Sequence, residues 1–247
     1  MPRKRNIEMP PSDKRCVPIS IDKDARDFEN EHVHDVYEEI APHFSHTRYN
    51  PWPSVLRCID KCPSFGVVLD VGCGNGKYLS YRNDLVFVGS DRCKSLLEIA
   101  LQKGSDLCIC DCIKLPFNDQ VADLAISIAV IHHVASREGR VRAISEMLRC
   151  TKPGGTILVY VWAMEQERDT IGYRSFESND VLVPWHLQSR YCKERTSAPD
   201  TLVNYKRYYH VFSKDEVLEL CKEFSDQATF EIRFEANNWI IEMSKFA

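Results

Sequence analysis

Val67-Val68-Leu69-Asp70-Val71-Gly72-Cys73-Gly74-Asn75-Gly76-Lys77-Tyr78 is the stretch whose reading decides the fold. A short run of β-branched and apolar residues breaks into glycines at alternate positions, which is how a strand buried on both faces ends in a tight turn. Glycine supplies positive φ there and lets a ligand approach the backbone without meeting a Cβ. The spacing Gly72-x-Gly74-x-Gly76, with Asp70 ahead of it, is not the Gly-x-Gly-x-x-Gly of a dinucleotide site, because Lys77 stands at its third glycine. No Gly-x-x-x-x-Gly-Lys-Ser/Thr can be laid over it, which excludes a phosphate loop. Taken alone, the glycines are also compatible with a bare strand-to-helix turn.

Strand and helix alternate outward from this turn, the signature of a parallel, doubly wound sheet. Residues 85–90 read as a strand ending in Asp91, 94–103 as a helix, and 107–110 as a strand ending in Asp111. Residues 123–129 form a fourth strand that ends near His132 and His133. A helix over 137–150 is stopped by Pro153-Gly154-Gly155, and 156–162 form a fifth strand. Upstream, Val33, Val36, Tyr37 and Ile40 recur at helical spacing in 27–41, a helix expected to stop before Pro42, and 54–62 form another. Residues 43–53 between them are too polar and proline-interrupted for an element, yet rich in groups that hold ligands. Downstream, 163–209 form an irregular, aromatic and charged insertion. Ser213 and Glu216 make a capping box for a helix over 213–224, and 229–234 and 239–243 supply two closing strands. The expected organisation is a flexible basic tail over residues 1–21 and one α/β domain over 22–247 that carries the insertion.

The net charge of −4 argues against a general polyanion binder, so any nucleic-acid contact has to come from a local patch. Such a patch lies in 186–210, where Arg190, Lys193, Arg195, Lys206 and Arg207 outnumber Glu194 and Asp200 and alternate with Tyr191, Tyr205, Tyr208 and Tyr209. Arg3-Lys4-Arg5 reads as a solvated run. No apolar run is long enough to span a bilayer and no charged-then-apolar leader is visible, so a cytoplasmic protein with access to the nucleus is expected. The 11 cysteines of such a chain are expected to be reduced and mostly buried. Cys108-x-Cys110-x-Cys112 lies along one face of a strand, a poor arrangement for a tetrahedral metal, and no metal site is expected.

Ligands of an open α/β sheet bind at the carboxyl ends of the strands, where Asp70, Asp91 and Asp111 all fall. Asp91, about twenty residues beyond the first glycine, stands where a carboxylate reaches two ribose hydroxyls. Asp111 stands where a carboxylate accepts from an adenine amino group. Asp70 is expected to anchor the glycine loop and to balance a cationic ligand at a distance. With Lys152-Pro153-Gly154-Gly155 ahead of the fifth strand and the closing strand pair, this pattern resembles the class I S-adenosylmethionine-dependent methyltransferases. The resemblance implies a Rossmann-like, seven-stranded α/β sheet, mostly parallel with an antiparallel C-terminal strand and helices on both faces. It also implies S-adenosylmethionine held by Asp70, Gly72, Gly74, Gly76, Asp91, Asp111 and Ile128.

Class I enzymes that methylate amino nitrogens carry Asp/Asn-Pro-Pro-Tyr/Phe after the fourth strand, where this chain has Ile126-Ser127-Ile128-Ala129-Val130-Ile131-His132-His133. Longer motifs narrow the choice. His34-Asp35-Val36-Tyr37-Glu38-Glu39-Ile40-Ala41, Thr47-Arg48 with Pro51-Trp52-Pro53, Tyr160-Val161-Trp162-Ala163-Met164-Glu165-Gln166, Val183-Pro184-Trp185 and Arg207-Tyr208-Tyr209-His210 are similar to the eukaryotic tRNA wobble-uridine carboxyl methyltransferases. The chain departs from that family at Asn237-Asn238-Trp239, where Asp or Gly is usual ahead of Asn-Trp. The resemblance implies methyl transfer to the carboxylate of 5-carboxymethyluridine in a tRNA anticodon. Arg48 would grip the substrate carboxylate and His133 would donate a hydrogen bond in the acceptor pocket, with His132 in packing. Arg190, Lys193, Arg195, Lys206, Arg207 and Tyr208 would hold the anticodon loop. A small zinc-ribbon activator subunit is implied as partner, and the apolar edge strand around Cys108 and Cys110 would accept it by strand addition. A carboxylate is already ionised at neutral pH, so positioning rather than a strong base has to carry the reaction. Two other readings stay open: a class I carboxyl or small-molecule O-methyltransferase without RNA, which needs no basic insertion, and a catalytically silent RNA-binding or scaffold protein.

Overall fold

Residues 15–168, 170, 173–187 and 203–247 are described by the computed structural model. Along the chain lie β1 (Val17–Pro18), α1 (Ala25–Glu29), α2 (Asp35–Thr47), α3 (Pro53–Asp60), β2 (Val67–Val71), β3 (Val86–Asp91), α4 (Lys94–Ala100) and β4 (Asp106–Ile109). They are followed by β5 (Ala122–Ile128), α5 (Arg137–Cys150), β6 (Thr151–Trp162), β7 (Asp180–Leu187), β8 (Val203–His210), α6 (Lys214–Lys222), β9 (Ala228–Glu235) and β10 (Asn238–Lys245). Strand side chains alternate between faces. Val68, Ile126 and Tyr160 therefore meet Val55 and Ile59 of α3 and Leu97 of α4. Leu69, Val71 and Val159 meet Ile144 and Met147 of α5 and Leu220 of α6 on the opposite face.

The sheet order is β4-β3-β2-β5-β6-β10-β9. β2 is an inner strand parallel to β3 and β5, and β10 runs antiparallel between β6 and β9. The seven-stranded, mostly parallel sheet expected from the alternation is thus present. It places the glycine turn, the end of β3 and the end of β5 side by side.

Four local expectations need correction. The helix begun upstream passes through Pro42 and ends at Thr47, after a π turn over Asn30–His34. Proline inside a helix costs about 3 kcal/mol. Here the helix continues because the turn beyond it carries Phe44 onto Tyr37 and Trp185, with ring centroids 5.4 and 6.1 Å apart, while Ile40 and Ala41 are fully buried. The insertion is not irregular where it is described: β7 and β8 pair antiparallel, and β1 adds to β7 as a second, three-stranded sheet. Val17 and Pro18 therefore belong to a strand and not to a free tail. Finally, Ser213 caps α6 by accepting from Glu216 N, but the Glu216 carboxylate binds His210 and Asn179 instead of closing a capping box.

The turn after β2 needs glycine for two reasons at Gly72. Its φ is +79°, and a Cβ would lie 2.3 Å from Val130 Cγ2. Gly154 has a similar φ of +76° with nothing within 4 Å of such a Cβ. Gly154→Ala is expected to cost about 1 kcal/mol through backbone strain alone, and Gly72→Ala roughly 1–3 kcal/mol more through collision. Urea unfolding of both variants checks this; equal losses would refute the close approach.

Candidate active site

One continuous cavity of about 210 Å³ runs from the glycine turn to the β7–β8 hairpin. Its two ends differ in chemistry. At the turn end lie Asp70, Asp91 and Asp111, with Gly72, Gly74 and Ile128 also on its wall. Asp91 is the residue that shapes the turn: Oδ2 accepts from Gly74 N and Oδ1 from Cys93 N, each at 2.8 Å. Burial raises its carboxyl above the usual range, against the pull of those backbone N–H groups. Asp111 accepts from Ile113 N at 3.2 Å through Oδ1, while Oδ2 faces Arg92 and Arg26 at 3.2 and 3.4 Å. Gly76 has φ +70° and is not on the cavity wall; a Cβ there would lie 2.9 Å from Ala100 Cβ.

Asp70 does not anchor the loop. Its Oδ2 is buried without a hydrogen-bond partner among the described residues. Burial pushes its carboxyl up to about 7, and Lys77 draws it back down. Lys77, which sequence reading used only to exclude a dinucleotide loop, is lowered to about 8 by burial and lies over the rings of Trp52 and Tyr78. An orphaned, buried carboxylate oxygen beside glycines is a seat for a cation. The acids at the strand ends supply acceptors for hydroxyl and amino donors, so these residues fit S-adenosylmethionine, whose α-ammonium and sulfonium groups are cationic.

The other end is built from aromatic rings and guanidinium groups. Arg207 on β8 is buried, 4.5 Å from the ring centroid of Trp185 and 5.1 Å from that of Tyr209. No described carboxylate pairs with it, and both its Nε and Trp185 Nε1 are buried donors without acceptors. Arg48 is exposed on the cavity wall, 5.4 Å from the ring centroid of the same tryptophan, and Arg174 lies over Trp162. Asn75 of the glycine turn donates to Ser45 Oγ and to the Arg48 carbonyl, which ties the end of α2 to the cofactor end.

His133 is fully engaged. Its Nδ1 lies 2.7 Å from the Tyr208 carbonyl, which can only accept, so Nδ1 carries the proton and Nε2 accepts from the Tyr37 hydroxyl at 2.9 Å. Arg207 in turn donates to that hydroxyl at 3.2 Å. Burial pushes the imidazole down to about 3, so it is neutral. The expected donation from His133 to a substrate is therefore corrected: the ring orients Tyr37 and, through it, Arg207. His132 is buried and accepts from Trp162 N, in a packing role.

Of the residues expected to hold RNA, Lys206 is exposed on β8, whereas Arg190, Lys193 and Arg195 lie outside the described residues. Arg207 and Tyr208 are buried, and the Tyr208 hydroxyl donates to Asp180, so neither lies on the outer surface of β8. Strand alternation turns Arg207 into the cavity instead. Sequence reading missed Tyr37 and Trp162 as cavity walls, and it missed Ala129, a non-glycine residue at φ +63° that turns the chain at the end of β5. Tyr37 and Trp162 sat inside the motifs that carry the family resemblance; Ala129 gave no signal. Among the described residues no group of His, Cys, Asp and Glu is arranged to hold a metal ion.

Residues 69–159 match the family model described as a methyltransferase domain. The chain is 39% identical to the tRNA (carboxymethyluridine(34)-5-O)-methyltransferase of Schizosaccharomyces pombe (strain 972 / ATCC 24843), over 89% of this chain and 98% of that one. It is 36% identical to the tRNA (carboxymethyluridine(34)-5-O)-methyltransferase alkbh8 of Xenopus tropicalis, over 90% of this chain and 42% of that one. The chain thus spans less than half the length of several relatives it matches. Its fold is similar to a chain of the complex between the Haloferax volcanii Trm112 methyltransferase activator and a methyltransferase. There the TM-score is 0.56 at 14% identity, over 87% of this chain and 99% of that one.

The Asp70–Lys77 pairing has a measurable consequence. Cofactor affinity is expected to fall as pH drops through about 7, where Asp70 takes up a proton. In Lys77→Met the burial of Asp70 is no longer opposed, so the midpoint moves to higher pH and affinity at pH 7 falls about tenfold. Calorimetric titration from pH 6 to 9 checks this, and an unchanged midpoint would show that Lys77 does not act on Asp70.

Proposed function

Because the chain belongs to the tRNA (carboxymethyluridine(34)-5-O)-methyltransferase family, we propose that it uses S-adenosylmethionine to methylate the carboxylate of 5-carboxymethyluridine at the wobble position of a tRNA anticodon. The product is the methyl ester. The observation that carries this reading is the buried guanidinium of Arg207, which has no acidic partner among the described residues and lies in the cavity that begins at the glycine turn.

Bound at that turn, S-adenosylmethionine supplies an electrophilic methyl group. Asp91 and Asp111 would accept hydrogen bonds from its ribose and adenine, and the unpaired oxygen of Asp70 would balance its positively charged groups. The rest of the chemistry is positioning. Arg207, with Arg48 on the cavity wall, holds the acceptor carboxylate; a guanidinium stays charged and binds a carboxylate bidentately. The acceptor has lost its proton before it arrives, and a neutral His133 fixed between Tyr208 and Tyr37 has none to remove. Tyr37, Trp162 and Tyr209 exclude water from the transfer and offer ring faces to a splayed base. Esterification removes the charge that the guanidinium holds, which favours release of product over substrate.

Lys206 on the surface of β8, with Arg190, Lys193 and Arg195, is assigned to anticodon phosphates. The edge of β4 is assigned to an activator subunit. It ends the sheet, and Ile109 on it is 61% exposed, as suits strand addition. A tRNA substrate puts the enzyme in the cytoplasm and nucleus; no helix of the described residues is long and apolar enough to cross a membrane.

The test is incubation of the chain, with its activator, with labelled cofactor and tRNA lacking the ester, followed by nucleoside mass spectrometry. Label is expected in 5-methoxycarbonylmethyluridine. Arg207→Met is expected to lower kcat/KM about 100-fold or more, through loss of a buried charge-assisted contact. Lys206→Glu should weaken RNA binding alone; a small-molecule enzyme would be indifferent to it. Label elsewhere in the tRNA, or none, would end this reading.

A further inference from the structure

His210 lies on β8 outside the cavity, 6% exposed, and each of its ring nitrogens faces a carboxylate. Nδ1 is 2.9 Å from Asp180 Oδ1 on β7, and Nε2 is 2.6 Å from Glu216 Oε1 on α6. An ionised carboxylate only accepts, so both contacts require a proton on both nitrogens. The geometry is that of an imidazolium clasped between two strands and a helix.

The surrounding groups agree. Arg140 of α5 approaches Glu216 at 3.6 Å and gives its Nη1 to the carbonyls of Val134 and Ala135. The Tyr208 hydroxyl donates to Asp180 at 2.5 Å, and Asn179 Nδ2 donates to Glu216 Oε2 at 3.2 Å and to the Val211 carbonyl. His132, behind the strand, is held neutral by burial, and Glu29 of α1 acts on Tyr208 from the far side while its Oε1 accepts from Ala135 N. With Asp180 and Glu216 ionised and Arg140 charged, a protonated His210 makes the cluster neutral. A neutral His210 would leave one ring lone pair against a carboxylate and one negative charge in excess.

Strand alternation connects this cluster to the acceptor pocket. Arg207 and Tyr209 point into the cavity, whereas Tyr208 and His210 point to the clasp. The backbone between them supplies the Tyr208 carbonyl that fixes the tautomer of His133, and His133 in turn orients Tyr37 under Arg207. We propose that His210, held as an imidazolium between Asp180 and Glu216, is a positioning residue that fixes β8 so that Arg207 meets the acceptor carboxylate, and that acceptor binding therefore depends on the His210 proton. This rests on the reading of Arg207 as the carboxylate-binding group.

The sign of the pH effect follows. Burial alone would lower the pKa of His210, but Asp180 and Glu216 reverse that and hold it above the ordinary histidine value of 6.5. The clasp is then complete below pH 6.5 and is lost as pH rises through the raised value. His133, pushed down to about 3, does not change charge in that interval.

The experiment follows the His210 ring by NMR in the full chain from pH 5 to 9.5. In parallel, KM and kcat are measured on an anticodon stem-loop bearing 5-carboxymethyluridine, with cofactor affinity read by calorimetry. The ring is expected to titrate above 6.5. The RNA KM should rise about tenfold across that titration, with kcat and cofactor affinity following other midpoints. His210→Gln should show the raised KM at every pH. Adding Asp180→Asn and Glu216→Gln, which lets neutral groups hydrogen-bond, should restore the low KM without its pH dependence. If His210→Gln does not fold, the wild-type titration decides: a ring that titrates below 6.5, or a KM unaffected by it, overturns the proposal. If Arg207→Met leaves the RNA KM unchanged, it is the assignment of Arg207 that fails.

Discussion

A guanidinium buried with no acid beside it is costly, and among the described residues Arg207 is such a group. Three rings face it, those of Trp185, Tyr209 and Tyr37, at 4.5, 5.1 and 5.8 Å. A desolvated cation over a ring gains about 2 kcal/mol, whereas taking an ion out of water costs several. The rings orient the charge but do not repay its burial. What holds it there is the frame around it: the pairing of β7 with β8, the clasp on the back of β8, and a hydrogen-bond chain from Arg207 through Tyr37 and His133 to the Tyr208 carbonyl. An anionic ligand would supply the missing partner. The second sheet is best understood as a device for presenting that one charge.

The same cavity has the opposite character at its other end, where Asp70 is buried with an oxygen unpaired. A cavity with an orphan carboxylate at one end and an orphan guanidinium at the other suits a cationic donor and an anionic acceptor. Transfer of a methyl cation between them cancels both charges. The link between the ends is short: Asn75 in the glycine turn bonds to Ser45 and the Arg48 carbonyl, and Glu38 one helical stretch earlier accepts from Lys94 N and Ser95 N at the start of α4. Helix α2 thus fixes the acceptor rim relative to the strands that carry the acids.

Features with local causes were legible in the sequence. The glycine spacing, the acids ending successive strands and the alternation of elements depend on residues close in the chain, and the seven-stranded sheet follows from them. Features set by distant contacts were not. Helix α2 runs through Pro42 because Phe44 finds Trp185, far along the sequence. Arg207 read as one of several basic residues on a flap, since nothing local tells which face of β8 turns inward. The contact with Gly74 N expected of Asp70 is made by Asp91, because which acid meets it is decided by the pairing of β2 with β3. The departure at Asn237 has a local reason visible only with dihedral angles: Ala236 and Asn237 both have positive φ, and Asn237 uses its amide on Glu167 N and Thr170 Oγ1.

The most direct measurement is a crystal structure of the chain with S-adenosylhomocysteine and 5-carboxymethyluridine nucleoside. The acceptor carboxylate should lie against the Arg207 guanidinium inside the wall made by Tyr37, Trp162 and Tyr209, with one oxygen toward the cofactor sulfur at the Asp70 end. A nucleoside bound outside that wall, or a carboxylate held only by groups other than Arg207, would contradict the account.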